Sequence, residues 1–234
     1  MPPATDDGQA ALTLAGVPLL ADASGALLWR DEGVLAVADL HLEKGSAFAA
    51  RGRMLPPYDT RATLDRLAAL VERERPRRVL CLGDSFHDRR AGERLTGADA
   101  DRLRALTAAT DWVWITGNHD PHPPDGLGGR IVAEITLGPL VFRHEAQPGV
   151  AGEISGHLHP AAALALAGRR LRERCFVTDG AKLILPAFGA FTGGLNALHP
   201  AIAGLLAPRF EALLMARGRL HRFPRDRLSP DRGL

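Results

Sequence analysis

Apolar residues fall in short blocks along this chain, and the blocks change character midway. Val34 to Ala38 is continuously apolar, and Arg78 to Leu82 and Trp112 to Ile115 are nearly so, as expected of strands covered on both faces. Between them, residues 60 to 74 set Leu64, Leu67, Ala68 and Val71 on one helical face, with Asp59 or Thr60 placed to cap it. A second helix is predicted near 98 to 109. Strand, helix, strand, helix, strand is the α/β signature. Shorter strands are predicted before it, at Leu12 to Leu14, Val17 to Leu20 and Ala26 to Trp29, behind a frayed tail of ten residues.

After residue 130 helices become scarce. Ile131 to Leu137 and Leu140 to Arg143, parted by Gly138 and Pro139, read as a hairpin. Further strands are predicted at Glu153 to Ser155, Leu171 to Val177, Lys182 to Leu185, Ala212 to Ala216 and Leu220 to Phe223. The pattern predicts one domain over 11 to 234. Its architecture is a four-layer α/β/β/α sandwich, two mixed sheets face to face with helices outside.

Composition narrows this a little. The 234 residues are 46% hydrophobic and 24% charged, enough apolar material for one substantial core. Net charge is +2, and the basic side is nearly all arginine, with Lys44 and Lys182 the only lysines. That bias fits phosphate recognition and equally a GC-rich genome. Cys81 and Cys175 stand singly in apolar runs and read as buried reduced thiols. No apolar stretch approaches a membrane span, and the first ten residues lack the basic start of a signal peptide, so a soluble cytoplasmic protein is expected.

The chemistry sits where the predicted strands end. ADLH at 38 to 41, GDSFHD at 83 to 88, GNHD at 117 to 120 and GHLH at 156 to 159 follow apolar runs, and His144 closes another. Asp39, His41, Asp84, Asn118, His144, His157 and His159 would therefore gather on one edge of the sheets. Carboxylate, imidazole and amide oxygen without thiolate suit manganese or iron, with zinc acceptable, and argue against calcium. Two such ions need a shared carboxylate, for which Asp84 is the candidate, and the pair can activate a hydroxide for in-line attack on phosphorus. Glycines before Asp84, Asn118 and His157 would let the backbone double back close to the ions.

The ordered set resembles the calcineurin-like metallophosphoesterases, whose ladder runs DxH, GDxxD, GNHD or GNHE, a lone histidine, and GHxH, over about residues 34 to 160 here. The resemblance implies that Asp39, His41 and His159 bind one ion and Asn118, His144 and His157 the other, with Asp84 shared. It also implies that His119 faces the substrate phosphate, stabilising its charge or protonating the leaving oxygen. One position departs from the pattern. His87 stands three residues after Asp84, and aspartate comes only at Asp88. Either Asp88 orients His119 from a shifted backbone, or His87 itself reaches the substrate.

ADLHLEKGSAFA, RGRMLPPYDT, GDSFHD, WITGNHDP, GHLHP and LPAFGAFTGGLN together look like the bacterial DNA ligase-associated branch. That resemblance implies a manganese-dependent DNA endonuclease or phosphodiesterase of DNA repair, from a gene cluster that also encodes a ligase, a helicase and a nuclease. Lys44, Arg51, Arg53 and Arg143 lie close to the motifs. They read either as contacts to phosphates flanking the scissile one or as arginines and a lysine solvating surface loops. Tyr58 reads as a packing or turn residue or as a base-stacking one, GAFTGG as a tight turn near the site, and the basic stretch Arg217 to Arg232 as a solvated strand face. Two other functions share the motifs: a nucleotide phosphatase or pyrophosphatase, and a catalytically silent scaffold in a repair complex.

Overall fold

Val34 to Val37 shows how the chain chooses its layers. Val34 and Ala36 point into one core, Leu35 and Val37 into another, and all four are buried. The same alternation sends Leu80 and Leu82 one way and Val79 and Cys81 the other, then Val113 and Ile115 against Trp112 and Trp114. A run apolar on both faces must be covered on both faces.

The computed structural model describes residues 8–56, 58–166 and 169–231. A seven-stranded sheet takes the order β1 (Gln9–Leu14), β2 (Val17–Asp22), β3 (Leu27–Trp29), β4 (Val34–Val37), β5 (Arg78–Leu82), β6 (Asp111–Ile115) and β7 (Arg130–Val132). It is antiparallel up to β4 and parallel from there. The second sheet is built from β8 (Glu134–Leu137), β9 (Leu140–Arg143), β10 (Glu153–Ser155), β11 (Pro160–Leu166), β12 (Arg169–Thr178), β13 (Lys182–Ile184), β14 (Leu195–Asn196), β15 (Glu211–Ala216) and β16 (Arg219–Pro224). Within it β9, β10 and β13 run parallel.

Between the sheets lie Leu80, Leu82, Val113 and Ile115 from one side and Phe142, Ile154, Phe176 and Leu213 from the other. Each such side chain contributes roughly 1.5–3 kcal/mol on burial. Helices α1 (Lys44–Ala49), α2 (Asp59–Glu74), α3 (Ala91–Arg94) and α4 (Gly97–Ala109) precede β7 in the chain. Of these, α2 and α4 close the outer face of the first sheet with Leu64, Leu67, Leu70 and Leu103. The fourth layer is thin. The four-residue α5 (Pro200–Ala203), with Leu206, Phe210 and Leu228, covers Cys175, Val177 and Leu214. Both cysteines are buried and free. Among the described residues no helix is long and apolar enough to cross a membrane.

Several boundaries differ from the sequence reading. The run 131 to 137 is two strands, because the chain passes at Ala133 from β7 in the first sheet to β8 in the second. Nothing in its alternation marks that crossing. The hairpin of β11 and β12 begins at Pro160, in an alanine-rich stretch whose weak strand propensity hides it. The expected tail is shorter than ten residues, since β1 starts at Gln9, whose buried amide donates to Asp22 and Glu74. Residues 1–7 of that tail, Pro57 and Arg232 lie outside the described residues. Neither Asp59 nor Thr60 caps α2, where Tyr58 is the N-cap. Instead Asp59 accepts from the Gly45 amide at 2.9 Å, and Thr60 accepts from the Glu43 amide and donates to its carboxylate, both at 2.8 Å. Both residues hold the segment after the first motif.

Candidate metal centre

The parallel strands β4, β5, β6, β9, β10 and β13 end at one place. A lone bridge from Ala38 to Ala187 ties the two sheets there, and the Gly189 amide donates to the Asp39 carbonyl. Every motif loop opens onto that edge, and each turns sharply. Of the nine non-glycine residues with positive φ among those described, Asp39, His41, Asp84, His157 and His159 are five. L residues avoid this conformation, and strain of this kind concentrates where a site over-determines the backbone.

The reversals converge acceptors on two points. In the first pocket His41 Nε2 lies 3.2 Å from His159 Nε2, which is 3.3 Å from Asp39 Oδ1. Burial, with the charge of His159, holds the His41 pKa down to about 2, so its lone pair is available. In the second pocket His144 Nδ1 donates to the Leu82 carbonyl at 3.0 Å, which aims Nε2 inward. That nitrogen meets Asn118 Oδ1 at 3.0 Å, His157 Nδ1 at 3.1 Å and Asp84 Oδ2 at 3.4 Å. Four acceptor atoms around one proton describe a cation site. Asp84 stands between the pockets, close enough to influence both His41 and His144. Its other oxygen accepts from the His119 amide at 2.8 Å. The donor set fits divalent ions of intermediate hardness.

Without an ion, the proton on His144 does that work. Burial opposes it, but the bond to Asp84 and the charges of Asp39 and Asp84 outweigh burial and lift the pKa to about 9. Asp84 falls to about 2: burial opposes ionisation, and the His144 bond and charge overcome it. Metal and proton therefore compete for His144 Nε2. Below pH 9 the proton holds the site, so affinity for manganese should rise about tenfold per pH unit from pH 6.5 to 8.5 and level off above 9. Calorimetric titrations of metal-free protein across that range should show it, with about one proton released per ion at the second pocket.

Glycine is required here for close approach. A Cβ on Gly117 would lie 2.2 Å from both the amide and Oδ1 of Asp84, one on Gly156 2.6 Å from Asp39 Oδ2, and one on Gly83 2.3 Å from His144 Nδ1. Gly117→Ala should cost about 1–3 kcal/mol in chemical denaturation and weaken metal binding, because Asp84 must move.

The remaining predicted residues divide. His119 Nδ1 donates to the His87 carbonyl at 2.7 Å, and its Nε2 is 4.0 Å from Asp84 Oδ2. The orienting acceptor is thus a backbone oxygen. Asp88 does not take that role, because its carboxylate accepts from Arg94 at 2.8 Å and from the Arg90 amide at 2.9 Å. The His87 ring is buried beside His41, His119 and Phe48. Burial and the charges of Lys44 and His119 lower its pKa to about 4. Lys44, half-buried at the start of α1, reaches both His41 and His87 with its charge, and Arg51 reaches His87. Arg53 is exposed. Arg143 is not free for phosphate, since its head pairs with Glu134 at 2.9 Å and with buried Glu153 at 3.4 Å. Tyr58 is 68% exposed, which removes the packing reading.

Sequence reasoning missed two carboxylates. Buried Asp120, last of GNHD, accepts from the Phe86 amide at 3.0 Å and ties that loop to the one carrying Asp84; burial pushes its pKa up to about 7. Glu43 fixes Ser46 at 2.6 Å and Thr60 at 2.8 Å. Each is an acid inside a motif segment where charge has no surface to solvate it, the one signal that could have marked them.

The chain matches the family described as Calcineurin-like phosphoesterase over residues 33–152. A crystal structure of the nuclease MPE from Pseudomonas putida is 34% identical with a TM-score of 0.73, covering 92% of this chain and 100% of that one. The phosphoesterase Yfce from E. coli matches at 14% identity and TM-score 0.43, over 81% of this chain and 97% of its own. AQ665 from Aquifex aeolicus, a protein of unknown function, matches at 15% and 0.38, over 54% and 78%. No curated protein matches the chain. The strand-end ladder, the convergent acceptors and the matched span agree: this chain belongs to the calcineurin-like phosphoesterases and is a metal-dependent hydrolase of phosphate esters.

Proposed function

We propose that this protein is a two-metal phosphodiesterase that cuts DNA, working with manganese in a cytoplasmic DNA-repair pathway alongside a ligase, a helicase and a nuclease. The observation that carries the reading is the pair of acceptor clusters, Asp39 with His41 and His159, and Asn118 with His144 and His157, with Asp84 between them. Near full-length similarity to a nuclease supports a diester substrate. Two divalent ions held there supply Lewis acidity, which lowers the pKa of water and neutralises charge gathering on phosphorus. The residues do the rest. His119, fixed by the His87 carbonyl, presents Nε2 to the leaving oxygen. His87 lies beside it as a second imidazole facing the phosphate. Lys44 and Arg51 bring positive charge to the same mouth.

The test is hydrolysis, with manganese added, of a chromogenic phosphodiester and a phosphomonoester beside circular single-stranded and duplex DNA. Diester cleavage with DNA nicking is the expected result. Monoester cleavage without nicking would leave a nucleotide phosphatase, and absence of turnover by fully metallated protein would leave a scaffold.

A further inference from the structure

A third group of donors lies across the mouth. His41, His87 and His119 each bring a ring nitrogen within 4.8 Å of the other two. Their ring centroids are 5.6, 5.2 and 5.4 Å apart. His41 and His87 are 5% and 8% exposed, and Nδ1 of each is buried with no hydrogen-bond partner. Such atoms are rare in a folded protein unless something binds them. His119 gives its Nδ1 proton to the His87 carbonyl, so its neutral ring offers a lone pair at Nε2. The His87 ring is held in place, with Phe48 at 5.7 Å and its amide donating to the Leu42 carbonyl at 2.9 Å.

We propose that His41, His87 and His119 form a third ion site, selective for zinc over manganese, through which zinc inhibits the enzyme. The trio contains no carboxylate, unlike the other two clusters. Imidazole sets suit zinc, whereas manganese favours oxygen, and zinc precedes manganese in general affinity for nitrogen donors. Zinc holds imidazole nitrogens at roughly 2.0–2.1 Å, which places three of them roughly 3.4 Å apart in a tetrahedral set. With Nε2 turned to the first pocket, His41 would meet zinc through its buried Nδ1, whose proton leaves to solvent as the ring becomes an imidazolate shared between the two ions, and water would take the fourth zinc position. The inhibition rests on the reading of His119 as the substrate-facing group: an ion bound to its Nε2 removes the proton donor and fills the space the phosphate needs. His87 is the ring that makes the trio, at the position where GDxxD has an aspartate.

The experiment starts from manganese-loaded protein exposed to buffered free zinc, read by elemental analysis of the washed protein and by hydrolysis of bis(p-nitrophenyl) phosphate. Wild type is expected to take up one zinc per chain while keeping its manganese, with inhibition competitive toward the diester. His87→Phe should raise the half-inhibitory zinc concentration at least tenfold, measured against its own zinc-free rate. Zinc exchanging with manganese ion for ion, or equal zinc sensitivity in the variant, overturns the proposal. Should His87→Phe fail to fold, His87→Gln replaces it, and anomalous scattering at the zinc edge from wild-type crystals gives the position directly. A peak among the three rings supports the site, and peaks confined to the other two pockets overturn it. Protein holding fewer than two manganese ions defeats the two-metal reading itself; two manganese and no added zinc defeats only the third site.

Discussion

Replacing Asp84 by alanine is expected to abolish turnover, by a factor on the order of 10³ or more, and to empty both metal pockets together. Its two oxygens face different partners. One accepts from the His119 amide at 2.8 Å, and the other faces His144 Nε2 at 3.4 Å. Its charge also reaches His41 in the first pocket. Asp39 also approaches both clusters, but it meets His144 at Nδ1, at 3.8 Å, the nitrogen turned to the Leu82 carbonyl, whereas Asp84 meets the inward Nε2. Losing one preorganised charge-stabilising group commonly costs a factor of about 10²–10³, and on the proposed two-metal reading this change also removes the group shared by both pockets. A second consequence separates local failure from unfolding. Asp84 raises the His144 pKa through both its hydrogen bond and its charge, beside Asp39 and the Leu82 carbonyl, so in the variant that pKa should fall. NMR titration of His144, beside elemental analysis and circular dichroism, measures both effects. A folded variant that retains two ions and measurable turnover would remove Asp84 from the shared position.

The ladder was legible because its signal is local. Each motif follows an apolar run, so Asp39, Asp84, Asn118 and His157 could be gathered at strand ends from the sequence, whereas the glycines make room across motifs, Gly117 for Asp84, Gly156 for Asp39 and Gly83 for His144. Layer order was legible for the same reason, since continuously apolar strands such as Val34–Val37 must be covered twice. Features that depend on direction were not. Arg143 adjoins His144 in sequence, yet alternation along β9 turns its side chain toward Glu134 and Glu153. Asp88 stood where a partner for His119 was wanted, but Arg94, from the next helix, claims it. The acceptor for His119 is a main-chain carbonyl, and no residue type encodes which way a carbonyl points. Tyr58 after two prolines looked constrained, and no neighbour covers more than a third of it. Ala133, where the chain changes sheets, has no turn residue beside it to mark the crossing.

His119→Ala is expected to behave in the opposite way to Asp84→Ala: both ions stay and turnover is lost. The ring contributes no nitrogen to either acceptor cluster, and its amide, which holds Asp84 Oδ1, survives the substitution. Metal content should therefore match wild type. What disappears is a proton donor at Nε2, and positioned general acids are worth about 10²–10⁴ in rate. That size depends on the leaving group. An alkoxide leaving from DNA needs a proton as the P–O bond breaks, whereas p-nitrophenolate leaves readily as an anion. The loss should thus approach the upper end of the range on an oligonucleotide and be at least tenfold smaller on bis(p-nitrophenyl) phosphate. Equal losses on both substrates would make His119 a stabiliser of phosphate charge instead of an acid. Loss of an ion would instead move it into the metal centre, and the division between ligands and substrate-facing histidines would have to be redrawn.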